Sequence, residues 1–364
     1  MKIILFFTLL LFCVSCHNST EQRLGNISLN LKTLASDEVV CSDLIEVQDW
    51  IKLDTSRNYV VGQFSKAEYY NNYYYLLDNT DKKSILVFDT NGKGVRQIGK
   101  LGGGPGEYSD INDFTIDKTS GEIIVIAQPT EFLKYSSSGD FVDSICLNNR
   151  FLWKLSSTKS GILASSMHLT FLDGDNAFLL YDFDRDLNLR KKDVPVLSVQ
   201  MTPIRFVNNP FISLGSVTYY CDEFCNVIYT YVDGKLTPTY KIDFQKPCDP
   251  VHRSDFMKAN QYLGQSDFIM NYVVTQDKML IIYVHQGPLC IGVVDLSVGS
   301  VISNRILNDV HFPNIICPID DTGSFVSPIS IESYMEYWKT SGVKQPDFQV
   351  SDDDNYLLMK WKFK

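Results

Sequence analysis

The stretch "SILVFDTNGKGVRQIG" at residues 84–99 decides the fold class. Two apolar runs flank the pair Asn91-Gly92, and this arrangement indicates a β-hairpin closed by a tight turn. A similar pattern returns at "EFLKYSSSGDFVDSICL" (131–147), where Gly139 lies at the predicted turn. Both hairpins follow a further apolar run. The unit is therefore strand, turn, strand, short loop and hairpin.

The two hairpins predict a repeat of roughly 45 residues, which is the length of a four-stranded propeller blade. Weaker copies occupy about 152–196, 211–244 and 268–307. A sixth copy combines 315–329 and 355–364 with N-terminal strands from 49–70. Mixing both termini in one blade removes the open edge that a final blade would expose. The sequence thus predicts an all-β, six-bladed β-propeller of four-stranded antiparallel blades over residues 41–364.

Two short helical insertions interrupt the strand pattern, at 249–264 and 327–342. A polar cap residue, a proline at the first helical position and a terminating glycine mark each of them. The residues in these three roles are Asp249, Pro250 and Gly264 in the first helix, and Ser327, Pro328 and Gly342 in the second.

The N-terminus reads "MKIILFFTLLLFCVSC". A basic residue followed by a short apolar run is typical of a cleaved secretory signal, and the run is too short to span a bilayer. "CVSC" resembles a bacterial lipobox, so we expect a signal peptide over 1–15, a lipidated Cys16 and a flexible tether over 16–40. Cys13 stands where lipoboxes usually carry Leu, which leaves ordinary cleavage after Ser15 as an alternative.

The chain carries a net charge of −10 with no Lys/Arg run, so the sequence predicts no nucleic-acid partner. We also expect no cofactor and no metal. The expected partners are a membrane, reached through the anchor at Cys16, and a protein, peptide or glycan ligand.

The lipobox at Cys16, the segments 51–79 and 87–117, and the terminal "DDDNYLLMKWKFK" (352–364) together resemble the six-bladed β-propeller lipoproteins common in Bacteroides-type bacteria, which are similar to NHL and TolB propellers. The "GxGPGEY" element is the most specific part of the resemblance. It is present here as Gly102, Gly104, Pro105, Gly106, Glu107 and Tyr108. The resemblance implies a propeller fold and a location in the cell envelope, the outer membrane rather than the inner, and it implies no activity.

The glycine-rich loop "GKLGGGPGEY" (99–108) lacks the Lys-Ser/Thr of a phosphate-binding loop, and a strand rather than a helix follows it. We interpret it as the crossover between the first two blades, close to the axial face. Glu107 is predicted to accept hydrogen bonds from backbone N–H groups of this turn. The alternative is that Glu107 and Tyr108 line a ligand pocket at the channel mouth.

Other candidate sites are weaker. Asp182, Asp184 and Asp186 have the spacing of a calcium loop, but Leu187 stands where such a loop needs glycine, so a solvated hairpin is the better interpretation. Cys221 and Cys225 could begin a zinc site with Cys248 or His252, although a disulfide or two free thiols fits better. The candidate catalytic histidines, none in a recognisable motif, are His168, His252, His285 and His311.

No catalytic residue can be assigned from these patterns. The leading expectation is therefore an envelope-anchored binding or scaffold module that recognises its ligand at the axial face. The alternative is a hydrolase or lyase, directed at a glycan or an ester, with its active site in the axial pocket.

Overall fold

The computed structural model describes residues 27–35, 37–56, 58–60, 62–127, 130–147, 150–166, 178–195, 209–221, 226–248, 264–308, 312–341, 349–351, 354 and 356–364. These residues form six sheets of at least four strands, arranged as the blades of a propeller. The all-β, six-bladed architecture predicted from the repeat is confirmed.

The blades are numbered 1 to 6 in the order in which their innermost strands occur along the chain. The strands, from the axis outward, are Phe64–Tyr70, Tyr73–Asp78, Ser84–Asp89 and Gly94–Ile98 in blade 1; Ile111–Ile116, Ile123–Ala127, Glu131–Tyr135 and Phe141–Cys146 in blade 2; and Leu152–Thr158, Gly161–Ser166, Phe178–Phe183 and Leu189–Pro195 in blade 3. They are Phe211–Leu214, Val217–Tyr220, Val227–Val232 and Lys235–Asp243 in blade 4; Asp267–Val274, Lys278–His285, Leu289–Asp295 and Ser300–Leu307 in blade 5; and Cys317–Pro318, Ser324–Ser330, Tyr356–Phe363 and Ile45–Lys52 in blade 6.

The core lies between adjacent blades, because both faces of every blade are covered by a neighbour. The strand Ile123–Ala127 is buried along its whole length, and such a strand reads as a continuous apolar run. Leu77 and Val87 of blade 1 share one apolar cluster with Phe114 and Val125 of blade 2. Apolar packing between blades therefore fixes the ring.

The ring closes in blade 6, where strands from the two ends of the chain pair with each other. Tyr356–Phe363 pairs with Ser324–Ser330 on one side and with the N-terminal strand Ile45–Lys52 on the other. The predicted N-terminal contribution needs one correction. Only the residues up to Lys52 belong to blade 6, because Phe64–Tyr70 is the innermost strand of blade 1.

Two strands precede the predicted start of the propeller at residue 41. Ile27–Asn30 pairs in parallel with Lys235–Asp243 of blade 4, and Glu38–Val39 pairs in parallel with Ser300–Leu307 of blade 5. Part of the segment predicted to be a flexible tether over 16–40 therefore belongs to the sheets. The reason is burial, since Leu29 and Leu31 pack into the apolar cluster of blades 4 and 5.

The helix predicted at 327–342 begins later than expected, at Ile331, and runs to Ser341. Ser327 and Pro328 remain in the preceding strand because that strand pairs with Tyr356–Phe363. Ser330 takes the capping role, and its Oγ accepts a hydrogen bond from the Ser333 N–H at 3.2 Å. The helix predicted at 249–264 falls almost wholly outside the described residues. A four-residue helix, Cys41–Leu44, was not predicted. Across the described ranges, no helix is both long and apolar enough to cross a membrane.

Candidate functional site

Four innermost strands contain a β-bulge near their start. The extra residues are Ser65, Asn112, Trp153 and Met270, and in each strand the pairing register shifts at that residue. A bulge turns the side chain that follows it in a new direction, and bulges are frequent beside functional sites. The residues that follow are polar in all four cases: Lys66, Asp113, Lys154 and Asn271.

Three of these residues form an ionic cluster that joins blades 1, 2 and 3. Lys66 Nζ lies 2.9 Å from Asp113 Oδ2 and donates to the carbonyl oxygens of Phe114 and Leu155 at 2.5 and 2.7 Å. Asp113 Oδ2 also accepts from the Leu155 N–H at 2.7 Å, and Lys154 Nζ lies 3.6 Å from Asp113 Oδ1. Lys66 and Asp113 are both buried. The charged groups of this cluster thus hold three blades together.

Some backbone N–H groups of the innermost strands do not pair within their own sheet. Side chains of the neighbouring blade accept hydrogen bonds from them. Glu68 Oε2 of blade 1 accepts from the Ile116 N–H of blade 2 at 3.2 Å. Thr115 Oγ1 of blade 2 accepts from the Ser157 N–H of blade 3 at 3.0 Å. Since buried backbone donors need partners, these bonds fix how neighbouring blades meet at the axis.

A cavity of about 380 Å³ opens at the axis beside this cluster. Lys66 and Glu68 lie on its blade 1 side, and Cys317 lies on its blade 6 side. Its wall is rich in hydroxyl groups, from Thr115, Thr119, Ser156, Ser157, Thr158, Ser213, Ser216 and Thr218. The volume falls in the range of small-molecule sites, which is about 300–1,000 Å³.

A chain of hydroxyl groups crosses the wall between blades 3 and 4. Ser156 Oγ lies 3.0 Å from Ser213 Oγ, which in turn lies 3.0 Å from Thr218 Oγ1. A hydroxyl group can both donate and accept, and it rotates to suit its partner. This wall can therefore bind polar groups of either kind.

The cavity mouth is formed by the turns that join the innermost strand of a blade to its second strand. These turns contribute Thr119 in blade 2, Lys159 in blade 3, Gly215 in blade 4 and Asp321 in blade 6. The Gly215 N–H donates to Asp321 Oδ1 at 2.8 Å. The mouth therefore lies on the face opposite the one where the innermost strands begin.

The glycine-rich loop lies elsewhere, between blades 1 and 2. Tyr108 is buried and donates to the Lys83 carbonyl oxygen at 2.8 Å. The Gly106 carbonyl oxygen accepts from Tyr135 Oη at 2.8 Å, and a side chain at Gly106, whose φ is +72°, would collide with Phe141 of the outermost strand of blade 2. The loop therefore joins blades 1 and 2 away from the axis.

Within this loop, Gly102, Gly104 and Pro105 lie in the connection between the two strands of a short parallel ribbon, Lys100–Leu101 and Glu107–Tyr108. Glu107 Oε2 accepts from the Gly104 N–H at 2.9 Å, and Lys100 Nζ lies 2.8 Å from Glu107 Oε1. Neither Glu107 nor Tyr108 is among the residues that line the axial cavity. A ligand-binding role for the loop stays a prediction.

Replacing Glu107 with Ala should lower the melting temperature, because the turn loses its acceptor and Lys100 loses its partner. The hydrogen bonds from Lys100 and Gly104 lower the pKa of Glu107. Their contribution is therefore complete above the ordinary glutamate range and is lost as the pH falls through the lowered pKa. Differential scanning calorimetry at pH 7 and at pH 3 checks both statements.

Glu107→Gln is the matched control, since its amide can still accept from Gly104. An unchanged melting temperature for Glu107→Ala at pH 7 would refute the bracing role.

The remaining candidates have structural roles or lie outside the described residues. Asp182 is buried beside Arg190 and accepts from Tyr231 Oη at 2.8 Å, while Asp184 accepts from the Asn188 N–H at 2.8 Å in a hairpin turn. Of the histidines, only His285 is described, and its Nδ1 lies 3.1 Å from the buried Asp267 Oδ1.

Cys221 is buried in the core of blades 4 and 5, whereas Cys225 and His252 lie outside the described residues. The same holds for Cys16, His168 and His311. Within the part of the chain that the structure describes, no three His, Cys, Asp or Glu side chains are grouped to hold a metal ion.

A family model described as "Domain of unknown function (DUF4934)" matches residues 24–362. Among solved structures, a "Putative exported protein" from Bacteroides fragilis is similar to this chain with a TM-score of 0.72 at 19% identity, covering 93% of this chain and 100% of that chain. A member of the DUF4221 family from Bacteroides vulgatus is similar with a TM-score of 0.54 at 10% identity, covering 89% of this chain and 99% of that chain. No curated protein matches the sequence. At these identities the structures support the fold alone.

Proposed function

Because this chain belongs to the DUF4934 family and folds as a propeller with a polar axial cavity, we propose that it is an envelope-located binding module that holds its ligand in that cavity. The ligand class is a protein, peptide or glycan. The observation that carries the proposal is the cavity itself, which combines a volume of about 380 Å³ with a wall of hydroxyl groups. Such concave sites with a few converging polar groups are the usual places where ligands bind.

Binding is favoured over catalysis by the state of the carboxylates in the cavity. Glu68 accepts from a backbone N–H and lies 3.4 Å from the ammonium groups of both Lys66 and Lys118. Asp321 accepts from the Gly215 N–H. Carboxylates held in this way position the walls of the cavity, whereas a general acid or base must be free to exchange a proton with its substrate.

A cavity-filling variant tests the proposal. Ser216 is exposed at the mouth, so Ser216→Trp should block the cavity without disturbing the core. Thr90, exposed in an outer turn of blade 1, provides the matched control Thr90→Trp. We expect a ligand recovered from peptide and glycan arrays to bind the wild type and Thr90→Trp equally and to lose binding to Ser216→Trp. Equal binding to all three proteins would refute the axial site.

The envelope location rests on the lipobox at Cys16 and on the description of the similar Bacteroides fragilis protein as exported. We propose that lipidation of Cys16 anchors the propeller to a membrane, the outer membrane rather than the inner. A multi-acyl anchor gives stable attachment without a membrane-spanning segment, since each buried methylene contributes about 0.8 kcal/mol.

Replacing Cys16 with Ala should move the protein from the membrane fraction to the soluble fraction of its cells. Immunoblotting of the two fractions measures the shift. Cys13→Ala is the control, because it leaves the lipidated position intact and should not release the protein. Retention of Cys16→Ala in the membrane fraction would contradict the anchor.

A further inference from the structure

We infer that the ligand of the axial cavity is a short peptide segment that carries an acidic group at one end and a basic group at the other. The inference rests on the proposed function, because it names the ligand of the same cavity. It follows from the way charge is distributed around the mouth.

One side of the mouth is basic. Arg185 donates to Thr119 Oγ1 at 2.8 Å and to the Lys159 carbonyl oxygen at 2.7 Å, so it ties the mouth turns of blades 2 and 3 together. Lys159 itself is exposed, and its ammonium has no ion-pair partner among the described residues. This side therefore presents a positive charge that is free to bind an anionic group.

Two carboxylates on the basic side form ion pairs with cations other than Lys159. Asp117 Oδ2 lies 3.8 Å from Arg185 Nε, and Glu68 Oε2 lies 3.4 Å from Lys118 Nζ. They compensate Arg185 and Lys118, which leaves Lys159 as the cation that a ligand can neutralise.

The opposite side of the mouth is acidic. Asp320 Oδ1 accepts from the N–H groups of Thr322 and Ser324 at 2.8 and 3.2 Å. Burial alone would raise the pKa of Asp320, but a hydrogen bond from Thr322 Oγ1 at 2.6 Å, together with those from the two N–H groups, outweighs it and lowers the pKa, so the group is ionised at neutral pH. Asp321 is held by the Gly215 N–H through Oδ1. Both side chains line the cavity.

The ring places these two sides across from each other. Blade 3 is three positions from blade 6 in the ring of six, and Lys159, Asp320 and Asp321 all line the cavity, so the basic and the acidic groups come from opposite blades. The hydroxyl groups of Ser213 and Ser216 of blade 4 lie on the wall between them. An extended peptide offers unlike charges at its ends and alternating N–H and C=O groups between them, which matches both features.

A neutral glycan would satisfy the hydroxyl wall and leave the charges at the mouth unused. Charges arranged around a site contribute mainly to selectivity and to the rate of association. Like charges placed against a ligand also exclude the wrong partners. The mouth therefore selects against neutral saccharides and against peptides with two ends of the same charge.

The test uses blocked pentapeptides whose first and last residues are acidic or basic in all four combinations, with a neutral oligosaccharide as a fifth probe. Binding to the wild-type protein is measured by isothermal titration calorimetry. We expect the two bipolar peptides to bind most tightly. Lys159→Glu should weaken them by about tenfold or more and make the peptide with two basic ends the preferred one. Lys93→Glu, at an exposed turn of blade 1, is the control and should change nothing.

If the oligosaccharide binds the wild type best, or if zwitterionic lipid vesicles bind while the peptides do not, the peptide inference is overturned. If Lys159→Glu leaves the preference among the peptides unchanged, it is overturned as well. Ser216→Trp tests the axial site separately from the identity of the ligand, because binding that survives this substitution contradicts the axial site itself.

Discussion

Replacing Lys66 with Met should lower the free energy of unfolding by about 3–5 kcal/mol, the usual cost of removing one partner of a buried ion pair. The buried Asp113 carboxylate would lose the ammonium group 2.9 Å away. The carbonyl oxygens of Phe114 and Leu155 would lose their donor as well. Equilibrium unfolding in urea, followed by tryptophan fluorescence, measures the loss.

Lys118→Met is a matched control for this experiment. Lys118 and Lys66 both lie 3.4 Å from Glu68, but the Lys118 side chain is 49% exposed and that of Lys66 only 6%. An exposed ion pair contributes about 0–1 kcal/mol, so the control should lose little stability. Equal losses for the two variants would show that the ionic cluster does not hold the blades together.

Replacing Trp361 with Ala should cost about 3–5 kcal/mol, as for other buried large aromatic residues. Trp361 lies in the third strand of blade 6, counted from the axis, and is fully buried. Its ring is stacked on Phe325 with centroids 4.8 Å apart, and its Nε1 donates to Ser327 Oγ at 2.9 Å. The variant weakens the blade in which the two ends of the chain close the ring.

Trp361→Phe separates the contributions of packing and hydrogen bonding. It keeps an aromatic ring against Phe325 but loses the bond to Ser327, so we expect a loss of roughly 1–2 kcal/mol. Denaturant unfolding of both variants, followed by circular dichroism, provides the comparison. A cost below 1 kcal/mol for Trp361→Ala would mean that this core does not stabilise the closed ring.

The blades could be predicted because local signals agree with the fold. The turns at Asn91-Gly92 and at Gly139 lie where the sequence predicts hairpins, with positive φ at both glycines. The apolar runs between the turns are the buried middle strands. Short-range patterns of this kind specify a hairpin without reference to the rest of the chain.

The ionic cluster that joins blades 1, 2 and 3 could not be predicted in the same way. Lys66 and Asp113 stand in strands that read as ordinary alternation, "FSKAEYY" and "INDFTI". A bulge at Ser65 or Asn112 depends on pairing with the second strand, which the sequence of the first strand does not reveal. The turns at Lys159 and Asp321 line one cavity only because the ring gathers blades that are distant in the sequence around one axis.

The glycine-rich loop shows the opposite case. Its composition marks it as the most distinctive stretch of the chain, and the sequence predicts it near the axial face. Its contacts with Tyr135 and Phe141 lie on the outer part of blade 2, because a crossover between blades starts at an outermost strand. A distinctive composition here reflects the steric demands of the crossover, including the positive φ of Gly106.

Hydrogen–deuterium exchange on the protein with and without bound peptide tests whether the ligand binds in the axial cavity. We expect slower exchange in the mouth turns at 117–122, 159–160, 215–216 and 320–323, with no change at 99–108. Protection confined to the glycine-rich loop at 99–108, with unchanged exchange in the mouth turns, would contradict it.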